Sequence, residues 1–224
     1  MEKKHPKSVA VMQPYIFPYI GYFQLIRAVD EFVFYDDVNF IKRGWINRNR
    51  LLINGDDKLI SFPCVKPSQN KLIKDIKVDT KQKNYSKILK TIKQSYKKAP
   101  NFDTVMPLIE DILTEEYDSI SELAIQSVER FIKYIEMNTI TLKSSEHFHD
   151  SNGLDKADRL IHITKSLDAN NYVNAAGGKT LYSKNYFTDK GINLKFLKPQ
   201  FKSYNQFDDD FCARLISHRR FDVY

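Results

Sequence analysis

The sequence predicts an α/β fold, a parallel sheet carrying one β-hairpin and a helical insertion. Three observations predict it. Residues 9–38, VAVMQPYIFPYIGYFQLIRAVDEFVFYDDV, read as strand, tight loop, helix and strand. Two strands joined by one helix lie parallel, with a right-handed crossover. Residues 172–197 repeat the order of strand, glycine-rich loop, helix and strand. Between the two halves, residues 84–137 show helical periodicity without a strand pattern. The sheet is therefore expected to be Rossmann-like, and the 224 residues suit a single domain with an inserted helical section.

The first strand is the apolar run 9–12, suited to burial on both faces. Gln13-Pro14 ends it, because proline brings no N–H to a ladder. The loop PYIFPYIG leads into a helix whose apolar positions Phe23, Leu25, Ile26 and Val29 recur at helical spacing. Phe32 to Tyr35 form a second buried strand, which stops at the carboxylate pair Asp36-Asp37. Ligands of such sheets bind beyond the carboxyl ends of the strands, where residues 13–21 and 36–39 lie.

Asn54-Gly55 is a hairpin turn, pairing roughly residues 46–53 with 58–63. Residues 73–78 read as a further short strand. Helices follow over 84–96, 102–113 and 119–137, with Ser119 and Glu122 spaced as a capping box. A strand is expected at 139–142 and a loop at 144–149. His147 and His149 lie in that loop, but with no cysteine or helical H-x-x-x-H pair they predict no metal site. The second half gives a helix over 155–167, a strand from Tyr172, a helix over 181–189 with Gly191 at its C′ position, and a last strand at 192–197.

Composition narrows the function. No run approaches about 18 apolar residues, so no membrane span is expected. The opening MEKKHPKS has no signal core behind it. Cys64 and Cys212 make no disulfide framework and read as free thiols in a reducing cytoplasm. The net charge of +7 permits phosphorylated small molecules, nucleic acid or anionic surfaces. Much of it sits in the lysines of residues 71–98, which read as a solvated face. No nucleic-acid motif accompanies them, and no nucleic-acid partner is expected.

Candidate site residues follow from position and chemistry. Asp36 or Asp37 can act as a general base toward an amine or hydroxyl. Gln13, Tyr15, Phe17, Tyr19, Gly21 and Tyr22 form a loop with a stacking wall for a ring. Lys42, Arg43 and Arg48, set around Trp45 and Asn47, are counter-charges for phosphate. The string AAGGKT lacks the first glycine of G-x-x-x-x-G-K-[ST], so no triphosphate loop is predicted. Gly177, Gly178 and Lys179 at a helix entry still make a candidate anion site.

MQPYIFPYIGYFQLIRAVDEFVFYDDVNFIKRGWINRN resembles the opening signature of the WbqC-like family. YVNAAGGKTLY, INLKFL and Tyr204-Asn205-Gln206 resemble its second block, so the likeness spans nearly the whole chain. The resemblance implies a cytoplasmic bacterial enzyme of O-antigen, lipopolysaccharide or related surface-glycan synthesis. With the candidate site residues, the first reading is an enzyme that modifies a nucleotide-linked sugar or other phosphorylated small molecule, as an acyl or aminoacyl transferase. It names no cofactor. It also implies an apolar closing helix, from which residues 207–224 diverge: Phe207 and Phe211 are kept, but Arg219-Arg220 stand where apolar packing belongs. A second resemblance, in the strand and proline-rich loop, is to the nucleotidylyltransferases of the HUP class. Tyr19-Ile20-Gly21-Tyr22 occupies the place of their H-x-G-H, and tyrosine is neutral at pH 7. A nucleotidylyltransferase-like enzyme and a non-enzymatic scaffold of the glycan pathway are the alternatives.

Overall fold

The computed structural model describes residues 6–201. Tyr204 to Gln206, the divergent segment 207–224 and Cys212 lie outside them. The described chain is α/β. Its strands are β1 (Ser8–Met12), β2 (Glu31–Phe34), β3 (Arg48–Ile53), β4 (Asp56–Ser61), β5 (Ile140–Lys143), β6 (Asn171–Ala175) and β7 (Asn193–Leu197). Its α-helices are α1 (Ile20–Arg27), α2 (Lys83–Tyr96), α3 (Phe102–Thr114), α4 (Ile120–Tyr134), α5 (Ser144–His147), α6 (Lys156–Ser166) and α7 (Lys184–Asp189). Five strands form one parallel sheet in the order β5-β2-β1-β6-β7, and β3-β4 form a separate antiparallel hairpin.

The apolar runs place themselves by burial. All four residues of β2 are buried, as an interior parallel strand requires. Alternation sends Ala10, Phe32 and Phe34 to one face, where α1 and α4 cover them. Val9, Val11 and Val33 go to the other face, with Leu160, Ile163 and Phe187 of α6 and α7. A third core lies above the sheet, where Ile16, Phe40, Ile46, Phe62, Ile73 and Ile76 meet α2, α3 and the start of α4. α4 serves two cores, Leu123 and Ala124 in the third and Ile125, Val128 and Ile132 over the sheet. The helical section is thus welded to the sheet rather than appended to it.

The predicted hairpin turn is present. Asn54 and Gly55 both take positive φ, 53° and 81°, as a two-residue type I′ turn demands. Ser119 caps α4, accepting the Glu122 N–H at 3.1 Å, while Glu122 reaches back to the N–H of Asp118 at 3.2 Å rather than to that of the cap.

Three elements differ from the sequence pattern. Residues 73–78 are not a strand: Ile73–Asp75 is a 3₁₀ turn, and its spacing of three buries Ile73 and Ile76 together. Residues 144–149 are not a loop. They are α5 followed by the 3₁₀ turn His149–Ser151, because the Asp36 carboxylate accepts the Ser145 N–H at 3.0 Å and so caps the turn from outside. The helix expected at 181–189 is shorter and starts later. Ala176–Thr180 is a 3₁₀ turn, and α7 starts only after Ser183, which caps it.

Candidate functional site

The strand order reverses between β1 and β6. From β1 the chain builds outward to β2 and β5, then returns to β6 on the other side. The ladder across this reversal is short. β1 and β6 pair only at Ser8↔Asn171 and Val9↔Tyr172, whereas β1 pairs with β2 over four residues and β6 with β7 over five. The two strands therefore part toward their carboxyl ends. The Tyr172 hydroxyl, not a ladder N–H, donates to the Val11 carbonyl at 3.4 Å. Crevices of this kind, at a topological switch point, are where open parallel sheets bind ligands.

Gln13 ends β1 at this opening, and its side-chain amide has no hydrogen-bond partner among the described residues. Asn174, the last residue but one of β6, lies there, 6% exposed, with Oδ1 accepting the Ala175 N–H at 2.8 Å. Gly178 makes room for it: a Cβ at that position would stand 2.5 Å from Asn174 Nδ2. Gly21 does the same for Tyr19, whose ring a Cβ would meet at 2.3 Å. Gly177 and Lys179 are exposed beside Gly178.

The proline-aromatic loop is held hard. Ile16 is wholly buried, and its N–H donates to the Ile46 carbonyl at 3.2 Å. Phe17 has φ +46°, a conformation bulky residues rarely adopt. The Ser127 hydroxyl accepts its N–H at 3.0 Å, Asn49 Nδ2 donates to its carbonyl, and its ring packs on Phe62 and Phe131. Tyr22 is thus a core residue, and Phe17 packs half-buried against the core. Tyr15 is half-buried between Tyr22 and Trp45. Asn47 donates to the Phe62 carbonyl at 2.8 Å and anchors the hairpin. Lys42 and Arg43 are exposed and have no ion-pair partner among the described residues. Burial and the neighbouring Arg43 and Arg50 charges lower the pKa of Arg48.

Two wholly buried phenols flank the crevice. Tyr22 donates to the Gln13 carbonyl at 3.0 Å and Tyr172 to that of Val11. Burial pushes both pKa values well above the usual tyrosine value. The folded chain keeps these protons where the unfolded chain releases them, so their contribution is complete below about pH 10 and is lost above it, by about 1.4 kcal/mol per pH unit for each phenol. Melting temperatures recorded in alkaline buffers are expected to fall steeply above that pH. Replacing Tyr172 with phenylalanine should flatten the fall.

Asp36 and Asp37 lie at the same rim and are 3% and 8% exposed. The strand stops before them, so alternation no longer separates their side chains, and both meet Ser144. Asp36 Oδ1 accepts from the Ser145 N–H and stands 3.1 Å from Ser144 Oγ, and its Oδ2 accepts from Ser145 Oγ at 2.6 Å. Asp37 Oδ1 accepts from Ser144 Oγ at 2.5 Å, and its Oδ2 pairs with Arg159 at 2.6 Å. Arg159 also donates to Ser151 and Asn152, and its guanidinium lies 4.7 Å from the Tyr35 ring centre. Each carboxylate oxygen is engaged within the protein, an employment different from that of a free general base. No local spacing pointed to Arg159, Ser144, Ser145, Asn49 or Asn174, because each reaches the rim from a distant element. Only the apolar spacing of α6, with Arg159 between Asp158 and Leu160 on its buried side, carried a trace.

An open groove of about 500 Å³ lies at the opposite, amino edge, beside Ser8, Arg27, Asp30, Val173 and Lys195. It has neither the diverging strand ends nor the convergent loops of the carboxyl rim. Among the described residues no cluster of histidine, cysteine and carboxylate suits a metal ion. No helix among them is long and apolar enough to cross a membrane.

The loops of this rim carry the sequence signature that extends through the chain, and residues 13–216 match the model of the WbqC-like protein family. The chain belongs to the WbqC-like protein family. This WbqC-like chain is 27% identical over 191 residues to an uncharacterised protein of Mycobacterium tuberculosis, Rv1507c, covering 84% of the present chain and 80% of the relative. No solved structure matches it significantly.

Proposed function

We propose that this WbqC-like protein binds a nucleotide-activated sugar in the crevice between β1 and β6 and modifies it, as an acyl or aminoacyl transferase of surface-glycan synthesis. The observation that carries the binding site is the parted ladder: two strand pairs, then an opening whose sides end in Gln13 and Asn174. The Gln13 side-chain amide and Asn174 Nδ2 suit sugar hydroxyls or a base edge. The family resemblance supports the glycan setting. Asp36 and Asp37 enter as positioning residues that fix the rim through Ser144, Ser145 and Arg159. A nucleotidylyltransferase reading is disfavoured by Tyr22, whose buried hydroxyl is turned to the Gln13 carbonyl rather than to a phosphate.

A thermal-shift screen with nucleotide sugars, ATP and acyl-CoA tests the reading. A nucleotide sugar at about a hundredfold excess over its Kd should raise the melting temperature by about 5–10 °C. Gly178→Ala drives a methyl into Asn174 and is expected to abolish that shift while costing about 1–3 kcal/mol of stability. Flat curves with every compound favour a scaffold. A shift that survives Gly178→Ala moves the site elsewhere.

A further inference from the structure

Next to the crevice lies a shelf of different chemistry. Trp45 is 37% exposed, its ring centre is 6.1 Å from that of Tyr15, and the Arg48 guanidinium carbon lies 5.9 Å from its own ring centre. Arg48 commits only Nε to the protein, donating to the Gly44 carbonyl at 2.8 Å. Its terminal nitrogens have no partner among the described residues. Arg43 stands in the turn closed by the Gly44 N–H and the Ile41 carbonyl at 3.0 Å, and has φ +62°. Such a turn favours glycine at that position, and an arginine there stores strain. Lys42 adjoins it, and no carboxylate among the described residues answers these three cations. Arg50, by contrast, is paired with Asp57.

We propose that Arg43, Arg48 and Trp45 form the diphosphate subsite for the ligand of the crevice, the guanidinium groups taking the phosphate oxygens and Trp45 stacking on the ring attached to them. The inference rests on the crevice being a nucleotide-sugar site. Guanidinium forks match phosphate oxygens in pairs. An unanswered cluster of cations gains by receiving a dianion, and an exposed indole face offers the stacking that a ring beside phosphate needs. Tyr15 is in ring contact with Trp45 on the shelf and with buried Tyr22, whose hydroxyl donates to the Gln13 carbonyl, so the shelf adjoins the Gln13 side of the crevice.

Trp45 is the only tryptophan of the chain, so its fluorescence reports on this shelf alone. Inorganic pyrophosphate and uridine diphosphate, titrated into the full chain, should each give a saturable change in emission. Arg43→Gln and Arg48→Gln should each weaken binding about tenfold or more, and Arg50→Gln should leave it unchanged. Arg43→Gly separates function from scaffold: the melting temperature holds or rises as the strained angle is relieved, while pyrophosphate binding falls as in Arg43→Gln. An unresponsive emission, while a nucleotide sugar still raises the melting temperature, would overturn the shelf and leave the crevice standing. Equal affinity in the glutamine variants would also overturn it. Silence of both emission and melting temperature would remove shelf and crevice together.

Discussion

Replacing Arg159 with methionine is expected to destabilise the protein by about 3–5 kcal/mol, because it leaves the Asp37 carboxylate buried without its partner. The pair is closed to water, with side-chain exposures of 7% and 4%. Methionine fills much of the volume over Tyr35 but supplies no donor for Asp37 Oδ2, Ser151 or Asn152. The second carboxylate adds to the cost, since Asp36 stands one residue away and Ser144 Oγ can donate its single proton to only one of the two. Urea unfolding should show a lower midpoint at unchanged slope. Adding Asp37→Leu to Arg159→Met should recover much of the loss, because an ion pair removed whole costs less than one broken. A single variant as stable as the parent would mean that the doublet is solvated and does not brace the rim.

Asn49→Leu is expected to cost about 1–3 kcal/mol and to abolish nucleotide-sugar stabilisation. Asn49 Nδ2 donates to the carbonyls of Ile16, at 2.9 Å, and Phe17, while Oδ1 accepts the Arg50 N–H at 2.7 Å. Phe17 holds its positive φ only because these bonds and the Ser127 hydroxyl determine it from both sides. Without Asn49 the loop can relax to ordinary backbone angles, taking Tyr15 and Tyr19 away from the crevice. The fold should survive, since Ile16 and Ile46 remain in the core. Circular dichroism and the thermal-shift response of the same sample separate the two effects. A variant that keeps the full ligand shift would show that the loop does not shape the site.

The sheet was legible because its strands are apolar runs closed by unmistakable breakers, Gln13-Pro14 and Asp36-Asp37 among them. The hairpin was legible because Asn54-Gly55 dictates the signs of φ directly. Residues 73–78 misled because Ile73, Ile76 and Val78 suit a strand and a 3₁₀ turn equally, and only the buried third core decides between them. The location of the doublet at the loop's own rim followed from parallel pairing alone. Its surroundings did not, because Ser144, Ser145 and Arg159 lie more than a hundred residues away in sequence. Phe17, Tyr22 and Asn47 read as binding residues from their neighbours in the chain; the hydrogen bonds by which they also hold the loop and hairpin come from partners that local spacing does not show.

The most direct test of the crevice is a crystal structure of the full chain with the nucleotide sugar that gives the largest thermal shift. Difference density bridging Gln13 and Asn174, with phosphates directed to Arg43 and Arg48, is the expected result. Density confined to the amino-edge groove beside Arg27 and Lys195, with the carboxyl rim left empty, would contradict it.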